Sequence, residues 1–168
     1  MNFRRLSPVD DEVLLHEAYL WDADAPAWYS AGDALFRPDS VEQYLAMAHD
    51  TNQVDIAVFN PDLCGLITFD HKGGGAFEIR LSAKRGTPLE TLAYAGQQVR
   101  HQIFTIGAKI GVVWIAERNR HVIKLCEAIG FVRDGLTMYR GVYNRKVKRP
   151  IEWVRMVTTR EQWMGEQV

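Results

Sequence analysis

One stretch in the middle of the chain limits the fold more than any other, because it passes from a strand pattern through a tight turn to a helical pattern. Residues Ala76–Ala83 read Ala-Phe-Glu-Ile-Arg-Leu-Ser-Ala, which is typical of a strand, and Lys84–Glu90 contains the Gly and Pro that favour a turn. An amphipathic run then extends to Gly107 and indicates a helix. A strand, a tight turn and a helix start can together cradle a phosphate group.

The size and charge of the chain limit the number of domains and the kinds of partner that it can have. Its 168 residues, 47% of them hydrophobic, suffice for one buried core and are too few for two ordinary domains, so we expect residues 1–168 to form a single domain. Lys and Arg number 20 against 21 Asp and Glu, so no overall field attracts nucleic acid or an anionic membrane. The N-terminus lacks the apolar segment of a signal peptide, and no run approaches the ~18 apolar residues of a membrane span. These features predict a cytoplasmic protein.

The two cysteines do not suggest a metal site. Cys64 and Cys126 lie in apolar segments without a His or a second Cys at metal-binding spacing. We therefore expect reduced residues in the core and no metal ligands.

The remaining patterns predict an α/β domain. The predicted order is β-α-α-β-β-β-α-β-α-β-β, which gives one mixed, mostly antiparallel sheet of about seven strands with about four helices. We expect one helix from Pro8 to Tyr19 and a second from Ser40 to His49. A long, partly buried loop is expected at Trp21–Pro38, and a basic hairpin tip at Tyr143–Pro150. The further predicted strands cover residues 54–58, 63–69, 112–116, 131–142 and 151–157. The stripe expected to pack on the sheet consists of Leu89, Leu92, Gly96, Val99, Ile103 and Ile106.

A helix start at Asn119, followed after ten residues by Ile129-Gly130-Phe131, carries a family resemblance. Together with the order of elements, it resembles the GCN5-related N-acetyltransferase (GNAT) superfamily over nearly the whole chain. The segment Val113-Trp-Ile115 is also similar to GNAT-like proteins of tailed phages, which makes a phage-type member with a degenerate cofactor turn a further hypothesis.

The resemblance implies acetyl-CoA as the cofactor. In the family, the backbone of the fourth strand pairs with the pantetheine arm, and the following turn offers amides to the pyrophosphate. Carried over to this sequence, the implied cofactor-binding residues are Leu81, Ser82, Ala83, Arg85, Gly86, Thr87 and Asn119.

The turn departs from the family pattern at two places. Pro88 stands where the family has Gly, and Glu90 stands where it has Gly or Ala. Pro88 lacks an amide hydrogen, and Thr87-Pro-Leu-Glu90 matches a capping box, in which Thr87 and Glu90 would occupy the amides that a pyrophosphate needs. The negative charge of Glu90 would also repel a diphosphate.

Glu78 is the candidate general base, because the family commonly carries a Glu on the corresponding strand. The same residue fits an outward Glu that alternates with core residues of a sheet. The family's frequent general acid, a Tyr, is replaced by Cys126, which could protonate a thiolate or could simply pack in the core.

Two functional hypotheses follow. The first is an acyl-CoA-dependent N-acetyltransferase that acts on an amine of an unknown small-molecule or protein acceptor, with Glu78 as base. The second is a catalytically inactive GNAT-fold binding or structural protein, such as a phage virion component, with the Trp-rich tail from Trp153 to Trp163 as its surface for a protein partner. Neither hypothesis includes a membrane or nucleic-acid partner.

Overall fold

The computed structural model describes residues 1–7, 9–17, 53–84, 86–140 and 151–166, which form seven strands and four helices. The elements are β1 (Asn2–Arg5), α1 (residues 12–17), β2 (Gln53–Phe59), β3 (Leu63–Gly73), β4 (Ala76–Ala83), α2 (Leu89–Thr105), β5 (Ile110–Ala116), α3 (Arg120–Ala128), β6 (Val132–Arg140), β7 (Ile151–Thr159) and α4 (Arg160–Gly165).

The strands form one sheet in the order β1-β2-β3-β4-β5-β7-β6. Every neighbouring pair is antiparallel except β4 and β5, which are parallel. A parallel pair needs a crossover connection, and α2 supplies it. The predicted mixed, mostly antiparallel sheet is therefore confirmed.

The two faces of the sheet are covered differently. On one face, α2 packs its Val99, Ile103 and Phe104 in a cluster with Ile67 and Phe69. Helix α3 extends this layer over β5 and β7. On the opposite face, α1 packs Leu15 in a smaller cluster formed with β2 and β3. The part of this second face formed by β4 and β5 is the setting of the candidate site described below.

The stripe predicted for α2 is partly wrong. Val99 and Ile103 are buried, whereas Leu89 and Ile106 are exposed. The buried positions are Thr91, Ala95, Val99, Arg100, Ile103 and Phe104. The predicted stripe and the buried stripe share Val99 and Ile103, and both fit the helical period equally well. The pattern of apolar residues also cannot predict that an arginine is buried.

The burial of Arg100 is explained by its partners. Its side chain donates hydrogen bonds to Thr158 at 2.7 Å, to the Ile129 carbonyl at 3.1 Å, and to both carboxylate oxygens of Glu166 at 2.5 and 2.9 Å. A buried charge is tolerated when it is paired and hydrogen-bonded in this way. Arg100 thereby links α2 to the end of α3, to β7 and to the residue that follows α4.

Several predicted boundaries change. The first helix begins at residue 12 rather than at Pro8. Immediately before this helix, the Asp11 carboxylate accepts a hydrogen bond from the Ser7 amide at 2.9 Å and pairs with Arg4, and these bonds hold residues 9 and 10 in a turn. Strand β3 continues to Gly73, since its last residues pair with β4. The predicted loop at 21–38, the helix at 40–49 and the hairpin tip at 143–150 lie outside the described residues.

The C-terminal helix α4 was not predicted, and the two Trp residues of the proposed partner surface differ in burial. Thr159 and Gln162 form a capping box that starts the helix. Trp153 is buried in β7, and Trp163 packs on Phe104 with ring centroids 5.7 Å apart. Trp153 is therefore part of the core and Trp163 is half-buried, whereas the other residues of α4 are exposed, and a role of the tail as a partner surface stays a prediction.

Candidate active site

The sheet opens between its two parallel strands. Ladder pairs join β4 to β5 only from Ala76 to Glu78, which is paired with Val112. Beyond this point residues 79–83 pair with β3 on their other side, and residues 113–116 pair with β7. The two strands therefore diverge from Glu78 onward, and among the described residues no strand pairs with this edge of β4. An edge of this kind can pair with an extended ligand through its backbone.

Three residues predicted to bind the cofactor lie along this edge. Leu81 is 37% exposed, and Ser82 and Ala83 are half-buried. Their pairing with β3, which includes Ala83 opposite Gly65, determines the direction of the strand. The structure thus brings these three residues together on the opening, while their role stays a prediction.

The turn after β4 is held by bonds to its own backbone. The Thr87 hydroxyl lies 2.7 Å from the Lys84 carbonyl oxygen and 3.0 Å from that of Cys64. The Thr87 amide bonds to the Lys84 carbonyl at 3.1 Å. Gly86 adopts a φ of 88°, a conformation that favours glycine. Arg85 lies outside the described residues.

The predicted capping box at the start of α2 is wrong. The N-cap residue is Pro88, which makes no side-chain capping bond, and the Thr87 hydroxyl is directed to the carbonyl oxygens of the turn. Contact with Cys64 of the neighbouring strand explains the difference, because it offers Thr87 an acceptor that the local sequence does not reveal. The amides of the first turn of α2 therefore receive no bond from Thr87, and amides at this position have no partner within the helix.

Glu78 lies where the opening begins. Its neighbours Phe77 and Ile79 pack on the core cluster beneath α2, so the alternation of a strand places Glu78 on the other face. Its side chain is 22% exposed and lies near two cations. Oε1 accepts a hydrogen bond from Arg80 Nε at 3.4 Å, and Oε2 forms an ion pair with Lys72 Nζ at 3.7 Å.

The residues on the β5 side of the opening were not predicted from the sequence. Trp114 of β5 lies beyond the last ladder pair and is half-buried. The Arg155 guanidinium lies 5.9 Å from its ring centroid and donates a hydrogen bond to Asp134 at 2.7 Å. This bond holds the pKa of Asp134 below its ordinary value.

Asn119 and Gly130 bound α3 as predicted. The Asn119 side chain accepts the Val122 amide at 3.5 Å, and Gly130 has a φ of 88°. Arg100 also explains the glycine, because a Cβ at position 130 would lie 2.4 Å from its Nη1. Asn119 follows the end of β5, beyond the open end of the divergence, and its cofactor role stays a prediction.

Cys126 is a packed core residue. It belongs to the buried cluster formed with Ile123 and Met156, against which Ile79 and Val113 pack from the two diverging strands. Burial, with a smaller effect of the adjacent Glu127, raises the pKa of its thiol to about 12. Cys126 therefore remains a thiol and is a poor proton donor. A Tyr on β6, Tyr139, is exposed.

Two further properties concern the described part of the chain. No group of three or more His, Cys, Asp or Glu side chains within it is arranged to hold a metal ion. None of the described helices is both long enough and apolar enough to cross a membrane.

Comparison with known proteins establishes the fold. No protein-family model and no curated protein sequence matches the chain. A mutant form of the spermidine N-acetyltransferase from Vibrio cholerae superposes with a TM-score of 0.79 at 15% identity and covers 100% of both chains. The enzyme from the same organism in complex with CoA and spermine has a TM-score of 0.75 at 15% identity over 97% of each chain.

A GNAT-family acetyltransferase from Streptococcus pneumoniae has a TM-score of 0.73 at 16% identity and covers 94% of this chain and 98% of its own. The chain therefore has the GNAT fold, as the sequence predicted. The named structures are of bacterial proteins and give no support to the phage-type hypothesis.

Proposed function

We propose that the protein is an acyl-CoA-dependent N-acyltransferase that transfers an acetyl group from acetyl-CoA to the amine of a small-molecule acceptor. The observation that carries the proposal is the divergence of β4 and β5 at Glu78. The carboxylate of Glu78 lies where the two strands separate, the strand edge continues from there to Ala83, and α2 begins shortly after the end of β4. The similarity to N-acetyltransferases of the GNAT fold, one of them in complex with CoA and spermine, adds support.

The residues present fit the cofactor, with a weaker site for its phosphates. The backbone of Leu81, Ser82 and Ala83 would hold the pantetheine arm. Gly86 has no Cβ, and no described atom lies within 4 Å of the place that a Cβ would take, so a pyrophosphate could approach the backbone there. Arg85 would supply charge, whereas the Thr87 hydroxyl and amide already bond to the turn.

The start of α2 completes this phosphate site. Amides of its first turn and the helix dipole favour an anion. Pro88 contributes no N–H, and the exposed carboxylate of Glu90 opposes a diphosphate. We therefore expect binding that is weaker than a turn with two glycines would give.

Catalysis by this chain rests on Glu78. When bound, acetyl-CoA supplies an acetyl group activated as a thioester. The Glu78 carboxylate would take the proton that the acceptor ammonium must lose before its nitrogen can attack. Arg80 and Lys72 hold the carboxylate from two sides and so restrict its orientation.

The proton for the leaving thiolate does not come from Cys126. A thiol with a pKa of about 12 is a much weaker acid than an ordinary thiol with a pKa of ~8.5, and Cys126 is buried. Turnover then depends on solvent or on another group for this step. The lack of the usual Tyr and the departures at Pro88 and Glu90 still favour the inactive alternative, whereas the capping box that also supported it is not formed.

Calorimetric titration with acetyl-CoA tests the proposal, at moderate salt so that weak attraction between charges is screened. Micromolar binding followed by acetylation of amines in a screen would support it. The absence of binding at millimolar acetyl-CoA would reject it in favour of the inactive alternative. Desulfo-CoA and free ADP serve as controls that separate recognition of the pantetheine arm from recognition of the phosphates.

A further inference from the structure

An amine of the protein itself lies beside the proposed base. Lys72 Nζ is 3.7 Å from Glu78 Oε2 and contacts the Asp70 carboxylate. Asp70 is the ladder partner of Glu78, so the two carboxylates lie side by side on adjacent strands. The Lys72 ammonium therefore occupies the kind of position, next to a base, that the amine of an acceptor must reach.

Lys72 is also accessible. Its side chain is 44% exposed, and it precedes the turn at Gly74 and Gly75 that joins β3 to β4. A flexible four-carbon stem lets its ammonium move by several ångström without a change in the sheet. The side chain can therefore leave Asp70 and present its nitrogen to the opening at Glu78.

We propose that Lys72 is a site of self-acetylation. The inference rests on the proposed function, because an acyl-CoA thioester is its co-reactant. Glu78 takes one proton from the Lys72 ammonium, and the nitrogen forms a bond to the acetyl carbon while the carbon–sulfur bond breaks. The nitrogen loses a second proton, and the leaving thiolate gains one. The net products are an amide at Lys72, free CoA thiol and one proton.

The other described lysines lack this arrangement. Lys84 pairs with Glu17 at 3.5 Å on the turn before α2, and the stem of Lys109 packs over Gly75. Lys124 is exposed on α3. Holding an amine next to the base replaces an encounter in solution by a reaction within one molecule, which lowers the barrier. Lys72 is therefore expected to react faster than these three lysines.

Acetylation would change the local charge. The modified side chain is neutral, so Asp70 and Glu78 would face each other without the cation that now contacts both. Arg80 would remain on Glu78, but Asp70 would lose the cation that it contacts, and the increased negative charge at this place would attract an external ammonium.

The experiment uses the full chain and isotope-labelled acetyl-CoA. The rate of labelling is followed by mass spectrometry at Lys72 and, in the same sample, at Lys84, Lys109 and Lys124. We expect Lys72 to be labelled at least about ten-fold faster, the ratio that 1.4 kcal/mol of barrier gives. The first-order rate should not change when the protein is diluted, because the reaction is intramolecular.

Two variants make the test specific. Glu78→Gln should reduce labelling at Lys72 to the rate of the other lysines, whereas Glu12→Gln, a change at an exposed position of α1, should leave it unaltered. Circular dichroism and thermal unfolding would verify that both variants are folded.

Equal labelling of all four lysines, or a rate that rises with protein concentration, would overturn the inference. The proposed function is judged separately by acetyl-CoA binding and by acetylation of added amines. If acetyl-CoA binds and amines are acetylated while Lys72 is not preferred, only the inference fails. If acetyl-CoA does not bind, both fail.

Discussion

Glu78 and Val112 form the last of three ladder pairs between β4 and β5. The candidate base therefore lies at the vertex of the opening, on a strand that is paired with β3 along its whole length. The opening is rigid on this side, since β4 cannot move without breaking that pairing. A base on such a strand is oriented before the substrate arrives, which is a requirement for efficient proton transfer.

Glu78→Gln is expected to lower kcat by about 10²- to 10⁴-fold, because the amide cannot accept the proton of the acceptor ammonium. The affinity for acetyl-CoA should stay unchanged, since the strand edge is formed by backbone. Steady-state kinetics and calorimetry measure the two effects, with Glu12→Gln as the control. Unaltered turnover in the Gln variant would remove Glu78 from the mechanism.

Removal of the Glu90 charge is expected to strengthen acetyl-CoA binding. A charge in the first turn of a helix contributes about 0.3–1 kcal/mol through the helix dipole. If the Glu90 carboxylate repels a diphosphate by a similar energy, its removal would raise the affinity for acetyl-CoA about two- to five-fold. Combining Glu90→Gly with Pro88→Gly, which restores an amide donor, should raise affinity further. Calorimetry checks both, and a fall in affinity would show that the helix start does not contact the phosphates.

A double-mutant cycle distinguishes the observed turn from a capping box. Thr87→Val removes bonds to the Lys84 and Cys64 carbonyls and should cost about 1 kcal/mol. Because Thr87 does not bond to Glu90, the effects of Thr87→Val and Glu90→Gln on the free energy of unfolding should add within about 0.5 kcal/mol. Urea unfolding measures them. A larger coupling energy would restore the capping box.

Cys126→Ala is expected to destabilise the fold without altering turnover. The lost side chain leaves space in the buried cluster and should cost about 1–2 kcal/mol. Because burial raises the pKa of the thiol to about 12, the folded protein should also resist alkylation at this residue near neutral pH. Peptide mapping after alkylation measures this. A marked drop in kcat at saturating substrate would instead implicate the thiol in the reaction.

Acid should weaken the bond between Glu166 and Arg100. Hydrogen bonds from Arg100 hold the pKa of Glu166 below its ordinary value of 4.5, so the carboxylate stabilises the fold above that value and loses this effect as the pH falls through the lowered pKa. Urea unfolding at a series of pH values should therefore show a smaller acid loss of stability in Glu166→Gln than in the original protein. Glu161→Gln, at an exposed position of α4, is the control. Identical acid profiles for the original protein and Glu166→Gln would contradict the pairing.

Short-range patterns were enough for much of this fold. The limits of β4, the cap at Asn119 and the glycine at Gly130 follow from rules that act within a few residues, and the structure confirms them. The order of elements, joined to these signals, was enough to indicate the GNAT fold. Alternation placed Glu78 on a strand, whereas its selection as the candidate base came from the resemblance to the family.

Contacts between distant residues determined the rest. The Thr87 hydroxyl was expected to accept from the Glu90 amide, but its position is determined by the carbonyl of Cys64 in β3, 23 residues away, to which it donates. Arg100 could be buried only because Thr158 and Glu166 meet it there, and the divergence at Glu78 exists because β3 and β7 hold β4 and β5 apart. A local sequence pattern indicates which hydrogen bonds a residue is able to make. Which of these bonds forms depends on the free energy of the whole folded chain.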